Sequence, residues 1–209
     1  MKDQTIIPEI TRDHIEAAVR LKNDLRSDYD LNPTAKQQLR NGRPLRPAAV
    51  LCGLVMREGE YHVILTQRPT TMREHAGQVA FPGGKIDHTD QNAVEAALRE
   101  ASEEIGLPRG AADVIGSIDA YETGTGFRVE PVVVVVDEGF VPVPDPYEVE
   151  ATFEPPLSFL INPANLQLKK GTWGGAERHY YAIPWQNRFI WGATAGMLKS
   201  LGDRLAAVR

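Results

Sequence analysis

The stretch Arg99-Glu100-Ala101-Ser102-Glu103-Glu104-Ile105-Gly106-Leu107 decides how this chain is read. Glu100, Glu103 and Glu104 fall at i, i+3 and i+4, so a helix turning about 100° per residue aligns all three carboxylates on one stripe. Like charges at those spacings destabilise an isolated helix by roughly 0.2–0.5 kcal/mol per pair. A neutralising partner is therefore needed, and a hard divalent cation with oxygen ligands is the natural candidate. Beside the acidic stripe, Val94, Ala97, Leu98, Ala101 and Ile105 recur at helical spacing and commit a second face to a core. Gly106 followed by Pro108 supplies a stop, and Asp90 or Thr89 is placed to cap the start. Upstream, Phe81-Pro82-Gly83-Gly84 forms a glycine turn that leads in. An acidic triple alone is an ordinary solvated helix face. Glycine turn, capped helix, acidic face and stop in succession indicate a built site.

That unit resembles the signature of the Nudix hydrolases: Gly, five residues, Glu, seven residues, Arg-Glu, an aliphatic, any residue, Glu-Glu, any residue, Gly, an aliphatic. Arg99 to Leu107 matches the second half, with Ala101 in the aliphatic place. The first half departs. One extra residue lies between Gly84 and Arg99, and Gln91 stands eight before Arg99, where the family has Glu. In the family that Glu is mainly a structural partner of the Arg, which leaves Asp87, Asp90 or Glu95 to take the role.

The departure itself resembles a coenzyme A pyrophosphatase-like subgroup, which carries Gly-Gly-Lys-x-Asp-x-x-Asp before the helix. Here the stretch is Gly83-Gly84-Lys85-Ile86-Asp87-His88-Thr89-Asp90. Upstream, Ile64-Leu65-Thr66-Gln67-Arg68-Pro69, Arg73, Gly77 and Phe81-Pro82-Gly83-Gly84 are in register with the same subgroup, Pro69 replacing its Ser or Ala. Glu148-Val149 with Pro156-Leu157, and Ile190-Trp191-Gly192 with Thr194-Ala195, resemble its downstream elements.

The resemblance implies a Nudix-type α/β/α sandwich with a mixed β-sheet. It also implies hydrolysis of a nucleoside diphosphate joined to another group. Coenzyme A or a derivative, split to 3′,5′-ADP and 4′-phosphopantetheine, is the leading substrate. ADP-ribose, a dinucleotide cofactor or a capped RNA end is the alternative, and a non-catalytic nucleotide-binding module is a third reading.

Under this resemblance Glu100 and Glu104, one turn apart, are the first metal-ligand candidates, with Glu103 next and Mg²⁺ or Mn²⁺ as the ion. The acceptor for the proton of the attacking water is one of these glutamates or Glu148. Arg68 and Arg73 are candidates for the substrate's phosphates, as is Lys85, while Gly83 and Gly84 allow close backbone approach. Arg99 is read as structural, holding loop to helix. His75, His88 and His179 do not make a metal-ligand cluster. Trp173, Trp185 and Trp191 are read as packing, and Gly124-Thr125-Gly126 as a strand connection. Neither a Walker-type lysine loop nor a Gly-x-Ser-x-Gly elbow occurs.

With 209 residues and 42% hydrophobic content, a single domain with a sizeable core is expected. It divides into a helical appendage (1–45), a core (46–165) and a C-terminal strand and helix (166–209). Net charge −5 disfavours nucleic acid as a partner and favours a small diphosphate compound met by metal and local cations. The apolar run from Pro131 to Val136 is far too short to span a bilayer. A lone Cys52 suits a reducing compartment, and the N-terminus lacks a signal-peptide plan, so a cytoplasmic location is expected. The late aromatic segments either cover the pocket or meet a second subunit, which leaves a homodimer open.

Along the chain, helices are expected over Thr11–Leu25, from Asn32-Pro33-Thr34 through Leu39, over Leu157–Ile161 and from near Trp191 onward. Strands are expected over Ala48–Met56, its hairpin partner Tyr61–Thr66, Val114–Tyr121, Val129–Val136 and His179–Pro184. Asn41-Gly42-Arg43-Pro44 reads as a turn. Gly77–Phe81 reads as short strand or loop, and Tyr147–Phe153 fits either strand or helix entry.

Overall fold

The computed structural model describes residues 9–22, 24–33, 44–71, 76–173 and 175–208. In chain order the elements are α1 (Arg12–Arg20), β1 (Arg26–Ser27), β2 (Arg46–Arg57), β3 (Glu60–Val63), β4 (Leu65–Gln67), β5 (Val79–Ala80) and β6 (Gly83–Lys85). They continue with α2 (Ala93–Ile105), β7 (Ala112–Ser117), β8 (Tyr121–Glu122), β9 (Phe127–Val136), β10 (Ala151–Phe153) and α3 (Leu157–Leu160). The last are β11 (Gln167–Trp173), β12 (Ala176–Trp185), β13 (Arg188–Trp191) and α4 (Ala193–Ala207).

The five-valine run of β9 pairs in parallel with β2, from Arg46 opposite Phe127 to Val55 opposite Val136. Near-continuous apolar sequence is what a parallel strand covered on both faces requires. On one face Ala49, Leu51, Val132 and Val134 meet Ala97, Ala101 and Ile105 of α2. On the other, Cys52, Leu54 and Val133 share a core with Ile15 and Ala18 of α1 and Leu198 and Leu201 of α4. The segment read as an appendage thus contributes to the main core. Antiparallel β3 and β6 join β2, antiparallel β7 and β8 join β9, and β1 joins β8 in parallel. The result is the expected mixed sheet between helical layers.

Several boundaries differ from the sequence expectation. Tyr61–Thr66 is not one hairpin strand: β3 pairs only with the C-terminal part of β2, and β4 leaves for a second sheet with β5 and β10. The reason is occupancy, because β6 already holds Ala48 to Val50 of β2. Val114–Tyr121 likewise splits into β7 and β8, with a register shift at Gly116, where a Cβ would lie 2.7 Å from Val19 of α1. The helix begun at Thr11, which caps it, ends at Arg20 rather than Leu25, since Leu21 is already extended. Of Tyr147–Phe153 only the last three residues are strand. The C-terminal part is a three-stranded sheet β11-β12-β13 before α4, richer than one strand and a helix. The short helix expected after Thr34 and the turn at 41–43 lie outside the described residues.

One buried ion pair fastens the helical layer to the sheet. Arg204 of α4 is 5% exposed, and Asp119, between β7 and β8, is 3% exposed. Arg204 Nη2 and Nε donate to the two Asp119 oxygens at 2.6 and 3.0 Å, and Nη1 donates to Ala18 O at 2.7 Å at the end of α1. Burial works against the Asp119 charge. Arg204, the Ser200 hydroxyl and the Asp24 N–H outweigh it and hold the carboxyl down at about 2. Its stabilising contribution is therefore full above the ordinary value of 3.8 and disappears as pH falls through about 2. Replacing Arg204 by Met strands that carboxylate and is expected to cost about 3–5 kcal/mol in urea unfolding at neutral pH. Arg12→Ala, which removes exposed pairs with Glu16 and Asp113, is expected to leave the urea midpoint nearly unchanged.

Candidate active site

The lead into α2 is built differently from the capping expectation. Asn92 is the cap, its Oδ1 accepting from Glu95 N–H at 3.0 Å. Asp90 instead receives Arg99: Nε and Nη2 each donate to one Asp90 oxygen at 3.0 Å, and Nη2 also donates to Lys85 O at 3.2 Å. This planar fork fixes the loop on the helix. Of the three acids weighed for the partner of Arg99, Asp87 faces His88 and Glu95 pairs with Arg109 at 2.7 Å. At the other end, Gly106 adopts a left-handed φ of 68° and closes the helix as its sequence requires.

The acidic stripe is graded in burial. Glu103 is 58% exposed at its side chain and accepts from Arg99 Nη1 at 3.1 Å. Glu100 lies 3.0 Å from the same Nη1. Part of the neutralisation that the spacing demands is therefore supplied by Arg99. Glu104 is different: it is 4% exposed and accepts from Gly83 N–H at 3.2 Å. Burial, with the charges of Glu100 and Glu148, outweighs the Gly83 hydrogen bond and Arg68 and raises its carboxyl to about 7. Burial also raises Glu100, against the pull of Arg99.

The glycines are required by close approach. A Cβ on Gly84 would stand 2.5 Å from Glu100 Oε1, and one on Gly83 2.5 Å from Ala49 O of the neighbouring strand. These residues are strand β6 rather than a free turn. Arg68 follows β4, its backbone N–H donating to Gln78 O at 3.0 Å, and its Nε is buried with no hydrogen-bond partner among the described residues. Lys85 is exposed and contributes its carbonyl to Arg99. Glu148, exposed on the loop after β9, is held towards the helix because Asp145 N–H donates to Glu104 O at 2.9 Å. Sequence reasoning missed that tie and the Asn92 cap. Arg73 and His75 lie outside the described residues, so Arg68 is the arginine of the upstream pair whose place is known.

Among the described residues no three His, Cys, Asp or Glu side chains form a closed metal cage. The donor set nevertheless fits a hard cation. Glu100 and Glu104 offer carboxylate oxygens, and their mutual repulsion, felt also from Glu148, is what a divalent ion relieves. Mg²⁺ and Mn²⁺ need few protein carboxylates and complete their shells with water and phosphate.

Comparison with known proteins agrees with this geometry. The family model for the NUDIX domain matches residues 44–176. A Cronobacter sakazakii protein named Uncharacterized Nudix hydrolase NudL is 40% identical over 176 residues, covering 79% of this chain and 85% of its own length. The Escherichia coli K12 protein of the same name is 40% identical over 162 residues, covering 75% and 81%. The crystal structure of the Nudix hydrolase RenU from M. smegmatis superposes with a TM-score of 0.53 at 20% identity, covering 79% of this chain and 89% of that one. A Nudix hydrolase from Alicyclobacillus acidocaldarius gives 0.50 at 18%, covering 77% and 92%. The chain belongs to the Nudix hydrolase family. Enzymes of this family hydrolyse nucleoside diphosphate-linked compounds and generally use divalent metals such as Mg²⁺ or Mn²⁺. No helix among the described residues is long and apolar enough to cross a membrane.

Because the folded value of Glu104 lies above the ordinary 4.5, the group favours the fold when protonated and opposes it once pH rises through about 7. In metal-free buffer Glu104→Gln is expected to be more stable than wild type by about 3 kcal/mol at pH 9. The gap should close below pH 4.5, as followed by urea unfolding. The two glycines are expected to separate fold from site. Gly83→Ala meets backbone and should cost about 1–3 kcal/mol. Gly84→Ala displaces only a flexible carboxylate, so unfolding should change little while Mg²⁺ affinity measured by calorimetry falls.

Proposed function

We propose that this chain is a metal-dependent pyrophosphatase acting on coenzyme A or a derivative, releasing 3′,5′-ADP and 4′-phosphopantetheine. The observation that carries the hydrolytic reading is the buried Glu104 beside Glu100, facing Gly83 and within the field of Arg68. The narrower substrate reading is supported by Gly83-Gly84-Lys85-Ile86-Asp87-His88-Thr89-Asp90, whose last residue holds Arg99. A cytoplasmic location belongs to the same reading, consistent with the buried free thiol of Cys52.

In this reading Glu100 and Glu104 hold Mg²⁺ or Mn²⁺, with Glu103 at the rim. When bound, the ion offsets the charge of the diphosphate. Arg68 faces the phosphates with its Nε, which has no hydrogen-bond partner among the described residues, and Lys85 and, by the resemblance alone, Arg73 are the further phosphate-binding residues. Gly83 and Gly84 let the backbone approach. Water attacks one phosphorus, the bond from that phosphorus to the bridging oxygen breaks, and the leaving group departs as a phosphate. The proton of the water passes to a carboxylate. Glu148 is the acceptor best separated from the cation ligands, while Glu100, Glu103 and Glu104 are the alternatives.

The deciding experiment is a turnover panel of coenzyme A, ADP-ribose, NADH and a capped RNA end with Mg²⁺, products identified by mass. Coenzyme A is expected to be preferred, and a preference for ADP-ribose overturns the substrate assignment. Glu104→Gln is expected to lose about 10²–10³-fold in kcat with its fold intact. Full activity in that variant at saturating Mg²⁺ overturns the metal-face assignment.

A further inference from the structure

The loop after β9 is unusually stiff. In Val141-Pro142-Val143-Pro144-Asp145-Pro146 every second residue is proline, and each ring fixes φ near about −65°. The backbone is anchored at both ends. Val143 N–H donates to Ile105 O and Asp145 N–H to Glu104 O, each at 2.9 Å. Beyond the tip, Glu150 N–H donates to Gln67 O at 2.8 Å, one residue before Arg68, and Thr70 N–H donates to Glu150 Oε2 at 3.3 Å. Between the anchors Asp145 closes a tight turn, its side chain accepting from Tyr147 N–H at 2.9 Å and its carbonyl from Val149 N–H at 2.8 Å.

This turn sends Val149 inward, at 2% exposure, and leaves Tyr147 at 86%. Tyr147 and Phe189 are the exposed aromatic side chains among the described residues. Of the two, Tyr147 is the one on a segment bonded to the helix that carries Glu100 and Glu104. Its chain neighbour Glu148 is near enough for both glutamates to feel its charge. The fold gives the Tyr147 ring no packing role, yet fixes its backbone beside the diphosphate site.

We infer that Tyr147 is a base-binding residue, its ring stacking on the base of the nucleoside diphosphate whose phosphates lie at Glu100, Glu104 and Arg68. The inference rests on the nucleoside diphosphate reading above but not on coenzyme A, since every candidate substrate carries a base. Stacking tolerates different bases because each has a π-face. The prolines and the two anchors lower the ordering cost of binding, because the loop is already held in place.

Calorimetry with ADP and with ribose 5-phosphate, each with Mg²⁺, tests this in Tyr147→Ala and Tyr147→Phe. Tyr147→Ala is expected to weaken ADP binding about 5- to 150-fold and to leave ribose 5-phosphate unchanged. Tyr147→Phe should match wild type with both. On whichever diphosphate the wild type hydrolyses, the loss in Tyr147→Ala should fall on KM while kcat holds. Equal ADP affinity in wild type and Tyr147→Ala, an equal loss for both ligands, or no ADP binding by wild type overturns the inference. Failure of the wild type to hydrolyse coenzyme A instead overturns the substrate assignment and leaves the base contact standing.

Discussion

Glu104 is buried on the core side of α2 one turn from Glu100, and ionising both there is opposed by desolvation and by their mutual repulsion. The neighbouring structure answers that conflict piece by piece. Gly83 presents an N–H to Glu104, and Gly84 has no Cβ to push Glu100 aside. Arg99 takes Glu100 and Glu103 with one nitrogen and Asp90 with its other two. Removing that guanidinium would free the lead-in loop and two of the three glutamates together. The signature arginine is thus best understood as the keystone of an electrostatic assembly reaching from Asp90 back to β6.

Delivery of the glycines to the helix depends on how β2 is shared. Its edge away from β9 is divided: β3 takes Leu54 to Arg57 and β6 takes Ala48 to Val50. That division sends β4 out of the main sheet and thereby brings Arg68 to the same end as Gly83. The segment after β9 then returns to both, bonding to Glu104 through Asp145 and to Gln67 through Glu150. Three separate segments converge on one acidic turn because one strand has two half-length partners.

This convergence also marks where sequence reading succeeds and fails. The helix with its acidic and apolar stripes was legible because its period is local, and the valine run of β9 because double burial leaves no alternation to misread. Gly83 and Gly84 announced close approach. The choice among Asp87, Asp90 and Glu95 was not legible, since three acids within reach of Arg99 differ only in loop path. Tyr61–Thr66 looked continuous because nothing local reveals that β6 occupies the rest of β2. Lys169, Lys170 and Gly171 hid β11, a strand defined by its neighbour β12 rather than by apolar alternation. The candidate site was legible as an acidic stripe beside two glycines, and not in the backbone ties that position it.

The same physics separates what destabilises this fold from what secures it. With no cation present, ionised Glu104 opposes folding as pH rises through about 7, whereas Asp119 supports it at any pH above the ordinary carboxylate range. The first belongs to the α2 face of the sheet and the second to the face covered by α1 and α4. Their described hydrogen-bond partners do not overlap, so their contributions should add. Arg204 reaches both α1 and the chain after β7, which ties the N-terminal helix to the sheet without touching the acidic turn. An acidic turn that resists its own charge can therefore persist, because the fold is secured on the opposite face of the sheet.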